Sequence, residues 1–193
     1  HPGPRPVPPD PAAAAWDALL DKVDIGRSVA VLGGGAVGVE TAIAIADRGT
    51  ASGETLKFLL KHGAEDFDSL KKLAVTGSRK VYLLEMLDSL GKDIGVTNRW
   101  VFLKELTLLG VQTIMGATVK SITDKGVTYE LKGKGEETLK VDTIVVALGN
   151  KVNDEMEEEL MRGGFTYVKI GDVKQPRKII DAVHEGFLAA LEI

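Results

Sequence analysis

The segment Val29-Ala-Val-Leu-Gly33-Gly34-Gly35-Ala36-Val37-Gly38-Val39-Glu40-Thr41-Ala42 constrains the fold more than any other part of the chain. Residues 28–32 are a compact apolar run, which fits a strand buried on both faces of a parallel sheet. Glycines stand at 33, 35 and 38, and the apolar residues after them predict a helix over 36–48 with Gly49 as its left-handed stop. A strand, a glycine turn and a helix at this spacing make a cradle for a dinucleotide. Gly33 permits the tight turn out of the strand, Gly35 lets a pyrophosphate approach the backbone, and Gly38 lets the helix pack closely on the sheet. The helix N-terminus adds oriented N–H donors and partial positive charge. A competing reading takes the glycines as a flexible loop, but the flanking strand and helix favour the cradle.

An acid commonly closes the second strand of such a unit, roughly 20 residues beyond the glycines, and accepts hydrogen bonds from the adenosine ribose hydroxyls. Here Lys80-Val-Tyr-Leu-Leu-Glu85 has that form, but it comes later in the chain. The excess is taken up by residues 50–78, which read as two helical pieces. Leu56, Leu59 and Leu60 make one apolar stripe, and Phe67, Leu70 and Leu73 another. A carboxylate at Glu85 would repel a 2′-phosphate, so the expectation is NADH over NADPH. The alternative is a solvated acid at a strand end.

Around this unit the pattern is that of an α/β domain. Residues 12–20 suggest a short helix, and Thr97 or Asn98 could cap another that carries Trp100, Leu103, Leu106 and Leu109 and closes at Gly110. From Val111 the period changes to two. Val119, Ser121 and Thr123 lead through Asp124-Lys125-Gly126 into Val127, Tyr129 and Leu131, an antiparallel ribbon. A polar turn over 132–137 feeds another strand pair that ends in an apolar run over 144–148, within a strand over 143–148 closed by Gly149. The expected fold is a Rossmann-like parallel sheet with helices on both faces and an added antiparallel β-meander. Three segments are expected: a proline-rich linker over 1–11, natural or left by cloning; a NAD-binding domain over 12–150; and a C-terminal segment over 151–193.

Composition removes other classes. A net charge of −4 and 5% aromatic residues argue against nucleic acid and anionic membrane as partners. No apolar stretch approaches a membrane span, and the start lacks the apolar core of a signal peptide, which leaves the cytoplasm as the expected location. With no cysteine and three scattered histidines, neither a disulfide nor a thiolate metal site can form, and a histidine metal site is not expected. A short-chain dehydrogenase would need Tyr-x-x-x-Lys, yet Met86, Gly133 and Gly171 stand four positions after Tyr82, Tyr129 and Tyr167. No Gly-Lys-Ser/Thr phosphate loop occurs.

The stretches 29–42, 91–110 (opening Gly-Lys-Asp-Ile-Gly), 141–149 and 170–193 together resemble the C-terminal portion of the 2,4-dienoyl-CoA reductase and 2-enoate reductase group, within the Old Yellow Enzyme-related NADH:flavin oxidoreductases. The resemblance implies a parent with an N-terminal barrel holding FMN and an iron–sulfur cluster, and a C-terminal unit holding FAD and receiving hydride from NADH. It implies that residues 151–193 return to an incomplete FAD-binding domain. It also implies that Asp172 hydrogen-bonds the FAD ribityl or pyrophosphate region, that Glu40 lies near the nicotinamide, and that Gly149 borders the nicotinamide nucleotide. Asp172 could instead be a turn residue, and Glu40 a buried helix acid satisfied by a neighbour. Only one full glycine motif is present, and the barrel with its cysteines is missing, so the chain is expected to be a region of a longer protein. A stand-alone NAD-binding sensor without catalysis is the alternative. Finally, Ile179, Ile180, Val183, Phe187, Leu188 and Leu191 form an apolar helical stripe. In the parent the flavin half would cover it; without that half, a homodimer or a helix folded back on the sheet would.

Overall fold

The computed structural model describes residues 12–192 except Lys125. The proline-rich segment 1–11 therefore lies outside the described residues, as does Lys125 of the expected glycine turn. The chain divides into two compact units, with the boundary between Leu148 and Gly149.

The first unit is built on a five-stranded parallel sheet. It opens with β1 (Ala12–Ala14) and α1 (Ala15–Leu19), then β2 (Ser28–Leu32) and α2 (Ala36–Asp47). The inserted pair α3 (Gly53–Lys61) and α4 (Phe67–Val75) follows, then β3 (Lys80–Glu85), α5 (Val96–Leu108) and β4 (Gln112–Met115). A meander of β5 (Ala117–Thr123), β6 (Gly126–Leu131) and β7 (Gly135–Leu139) precedes β8 (Thr143–Val146). The parallel sheet has the order β1-β8-β2-β3-β4, and the meander forms a separate antiparallel sheet. From β2 the chain winds outward through β3 to β4, and then returns to place β8 on the other side of β2. The strand order thus reverses at β2, and open α/β sheets bind ligands outside the strand ends at such a point.

The alternation of β2 explains its two-sided burial. Val29 and Val31 point into a core shared with Ala15, Ala18, Val39, Ala42 and Leu106, so α1, α2 and α5 cover one face. Ala30 and Leu32 point into a second core with Ala117, Val127 and Tyr129 of the meander. All four β2 residues from Val29 to Leu32 are fully buried, and each larger side chain contributes about 1.5–3 kcal/mol by leaving water. The fold is the expected α/β sheet with an added antiparallel meander, and it is the meander that covers the second face. Its inward residues Val127 and Tyr129 supply the apolar surface that a helix would otherwise have to provide.

Local differences have identifiable causes. Residues 12–14 are a strand and not the start of the helix, because they pair in parallel with Ile144–Val146 at the sheet edge. That pairing outweighs the helix propensity of alanine. Neither Thr97 nor Asn98 caps α5. Gly95 is its N-cap, and its carbonyl already accepts the N–H groups of Asn98 and Arg99. The polar turn expected over 132–137 is shorter, since Leu131 pairs with Gly135 and Lys134 N–H closes on the Leu131 carbonyl at 2.9 Å. Gly133 and Gly135 both take positive φ there. The inserted helices form as expected: Ser52 accepts the Thr55 N–H at the start of α3, and Asp66 accepts that of Ser69 at the start of α4.

The second unit contains α6 (Glu155–Arg162), a single 3-10 turn at Gly171–Val173 and α7 (Ile179–Leu191). Glu157 joins α6 to the following segment by accepting from Tyr167 Oη at 3.0 Å and Lys169 Nζ at 2.7 Å. Glu185 of α7 accepts the Gly171 N–H at 2.8 Å and pairs with Lys174 and Arg177. The expected stripe on α7 is exposed, with Ile179 at 85% and Phe187 at 64%.

Candidate functional site: a glycine turn lined by two carboxylates

The turn begins where β2 leaves the sheet. Gly33 N–H continues the ladder to the Leu84 carbonyl of β3 at 2.8 Å, and Ala147 N–H donates to Leu32 on the other side, also at 2.8 Å. Gly33 has φ +105°, and a Cβ there would fall on the Ala147 carbonyl oxygen. Gly38, in the first turn of α2, would drive a Cβ into the carbonyl of Gly33. These two glycines therefore fix how tightly α2 sits against the strand ends. Gly35 is the N-cap of α2, with φ −71°. It carries no backbone constraint on a side chain, and a Cβ there would meet the Asp93 carboxylate at 3.1 Å.

Two acids reach this turn. Glu85, the last residue of β3, accepts the Gly34 N–H on Oε2 at 2.5 Å and the Leu87 N–H on Oε1 at 2.8 Å. It sits beside the turn because β2 and β3 pair in register, Leu32 opposite Leu84. Each carboxylate oxygen keeps a lone pair beyond the backbone bond it makes. The second acid is Asp93, to which sequence reasoning gave no role. Both of its carboxylate oxygens accept the Ala36 N–H, at 2.8 and 3.0 Å. Ala36 is the first residue of α2, whose opening amides have no intrahelical acceptors. The available signal was the Gly-Lys-Asp-Ile-Gly loop directly after the second strand.

The remaining candidates lie elsewhere. Glu40 is on the exposed side of α2, which removes the buried-acid reading of that residue. Gly149 has φ +93° with open space where a Cβ would point. Asp172 is exposed on the 3-10 turn of the second unit and accepts the Arg177 N–H at 3.3 Å. The structure thus gathers Gly33, Gly35, Gly38 and Glu85 around one turn. Gly149 and Asp172 belong to the second unit.

A parallel sheet, an order reversal at β2 and a glycine turn at that strand's end define a nucleotide-binding α/β domain. The chain belongs to the pyridine nucleotide-disulphide oxidoreductase family, which it matches over residues 12–173. It is 36% identical to a metal reductase of Desulforamulus reducens, over all of this chain and 29% of that protein. It is 30% identical to an NADH oxidase of Thermoanaerobacter brockii, over 93% of this chain and 24% of the relative. Among solved structures, a 2-naphthoyl-CoA reductase matches the whole chain with a TM-score of 0.69 and 22% identity, over 25% of its own length. The chain spans less than a third of each of these proteins. The disulfide chemistry in the family's description has no counterpart in this chain, which contains no cysteine. Among the described residues, no helix is long and apolar enough to cross a membrane.

Proposed function

We propose that this chain is the NADH-binding portion of a multidomain flavin oxidoreductase of the enoate or dienoyl-CoA reductase kind, in which hydride passes from NADH to FAD. The observation that carries the reading is the placement of Glu85: its carboxylate lies at the end of β3, beside the glycine turn and at the reversal in strand order. The family match and the likeness to an NADH oxidase support the same reading. So does the low coverage of the relatives, which fits a parent with further domains; in the proposed parent these include an FMN and iron–sulfur barrel.

When bound, the nicotinamide supplies hydride and the flavin accepts it, and the chain's own residues bind and orient. Gly33 and Gly38 hold the turn, Gly35 leaves room for phosphate, and the amides of α2 face it. Glu85 receives the adenosine ribose hydroxyls and disfavours a 2′-phosphate, so NADH is read over NADPH. Glu40 and Gly149 serve the nicotinamide end, and Asp172 the flavin. The flavin-binding half of the longer chain covers the apolar side of α7, where Ile180, Val183 and Phe187 are exposed. The setting is cytoplasmic.

Calorimetric titration of the chain with NADH and NADPH tests the reading. NADH should bind with the higher affinity. Failure of both nucleotides to bind, or a preference for NADPH, would contradict it.

A further inference from the structure

The cradle already holds an anion of its own. Both oxygens of Asp93 accept the Ala36 N–H, the donor that opens α2. The same carboxylate fills the approach to Gly35, for a Cβ built on that glycine would lie 3.1 and 3.4 Å from the two oxygens. Phosphate oxygens that meet the backbone at Gly35 and Ala36 need this volume. They also carry the same sign of charge as Asp93, so the two cannot share it.

The loop that carries Asp93 is anchored just before it. Leu90 is buried in the core, and its carbonyl accepts Arg99 Nε at 2.7 Å. Gly91 N–H donates to the Gly34 carbonyl at 2.6 Å, and Gly91 takes φ +60°. Lys92 and Asp93, beyond that anchor, are exposed. The Asp93 side chain can therefore rotate into water without breaking any of the bonds that hold Leu90 and Gly91.

We propose that Asp93 is a built-in competitor for the cradle: its carboxylate caps the terminus of α2 and must swing out before the pyrophosphate of a dinucleotide can enter. It preserves the turn between ligands and weakens the resting affinity, so that the nucleotide exchanges more readily. The inference rests on the NADH reading above.

The test compares the parent chain with Asp93→Asn and Asp93→Ala. Affinities for NADH and, separately, inorganic pyrophosphate are measured by calorimetry, and folding is checked by circular dichroism and thermal melting. NADH should bind about tenfold more tightly to Asp93→Ala, the size expected when one charge-assisted hydrogen bond no longer has to be surrendered. Asp93→Asn should move in the same direction, and pyrophosphate should follow the same ranking. Melting temperatures should fall slightly, because a helix cap is lost. A purely structural cap predicts the opposite for affinity, since loosening the turn weakens binding. Unchanged or weaker NADH binding by both folded variants would overturn the competitor role while leaving the NADH reading in place. If pyrophosphate binds the variants more tightly but NADH binds none of the proteins, the competitor stands and the nicotinamide reading falls. If neither ligand binds any of the three, both are overturned.

Discussion

Replacing Glu85 by arginine separates what this residue does for the turn from what it does for the cofactor. The native carboxylate accepts two backbone N–H groups, at 2.5 Å from Gly34 and 2.8 Å from Leu87. Arginine cannot accept either, so Glu85→Arg loses two charge-assisted bonds that shape the turn. That loss weakens NADH and NADPH alike and cancels in the ratio of their affinities. The ratio isolates the charge. NADH loses an acceptor for its ribose hydroxyls, while the guanidinium becomes a donor for the 2′-phosphate of NADPH. The relative change should be about 1–3 kcal/mol, or about 5- to 150-fold in the NADH to NADPH affinity ratio. Calorimetric titration of both proteins with both nucleotides measures it. If the ratio is unchanged while both affinities fall, Glu85 is only a buttress of the turn. The ribose assignment is then refuted.

Other expectations follow from the same geometry. Gly35→Val should keep the fold by circular dichroism, since the backbone there is at φ −71°, yet its side chain fills the space a phosphate needs, so NADH binding should be lost by calorimetry. Gly38→Ala should instead destabilise the domain in urea by about 1–3 kcal/mol, because the new methyl meets the Gly33 carbonyl. In the second unit, the Arg177 guanidinium, the Gly171 N–H and the Lys174 ammonium hold the Glu185 carboxyl down to about 2 from an ordinary 4.5. A lowered folded pKa gives stability that is full above about pH 4.5 and is lost as the pH falls through about 2; the Gly171 amide resonance should follow that titration in NMR. On the proposed reading, in which Asp172 is the chain's contribution to a flavin site held mainly by the rest of the longer protein, the purified chain should be colourless in the visible. A stoichiometric yellow complex would contradict that.

The central strands and the glycine turn were legible because the same residues satisfy several constraints at once. Residues 28–32 had to be apolar on both faces, and Gly33 and Gly38 had no room for a side chain, so pattern and geometry coincide. The inserted helices were legible from their stripes, and Glu85 from its place at the strand end. Pairing partners were less visible. Nothing in three alanines announces a parallel edge strand beside β8. Nothing in Val127 and Tyr129 says that the meander, and not a helix, will cover the second face. Asp93 was hidden for a different reason: its effect depends on a loop folding back over Gly34, a contact more than fifty residues distant in sequence. A one-dimensional motif cannot report such a contact.

The most direct test of the account is an NMR titration of the labelled chain with NADH, following backbone amides. The account predicts saturable shifts concentrated at Gly33 to Gly38 and at Glu85 and Leu87, together with a change at Ala36 as Asp93 releases its N–H. Saturable binding whose shifts cluster away from the end of β2 would contradict it, as would a spectrum that NADH leaves unchanged.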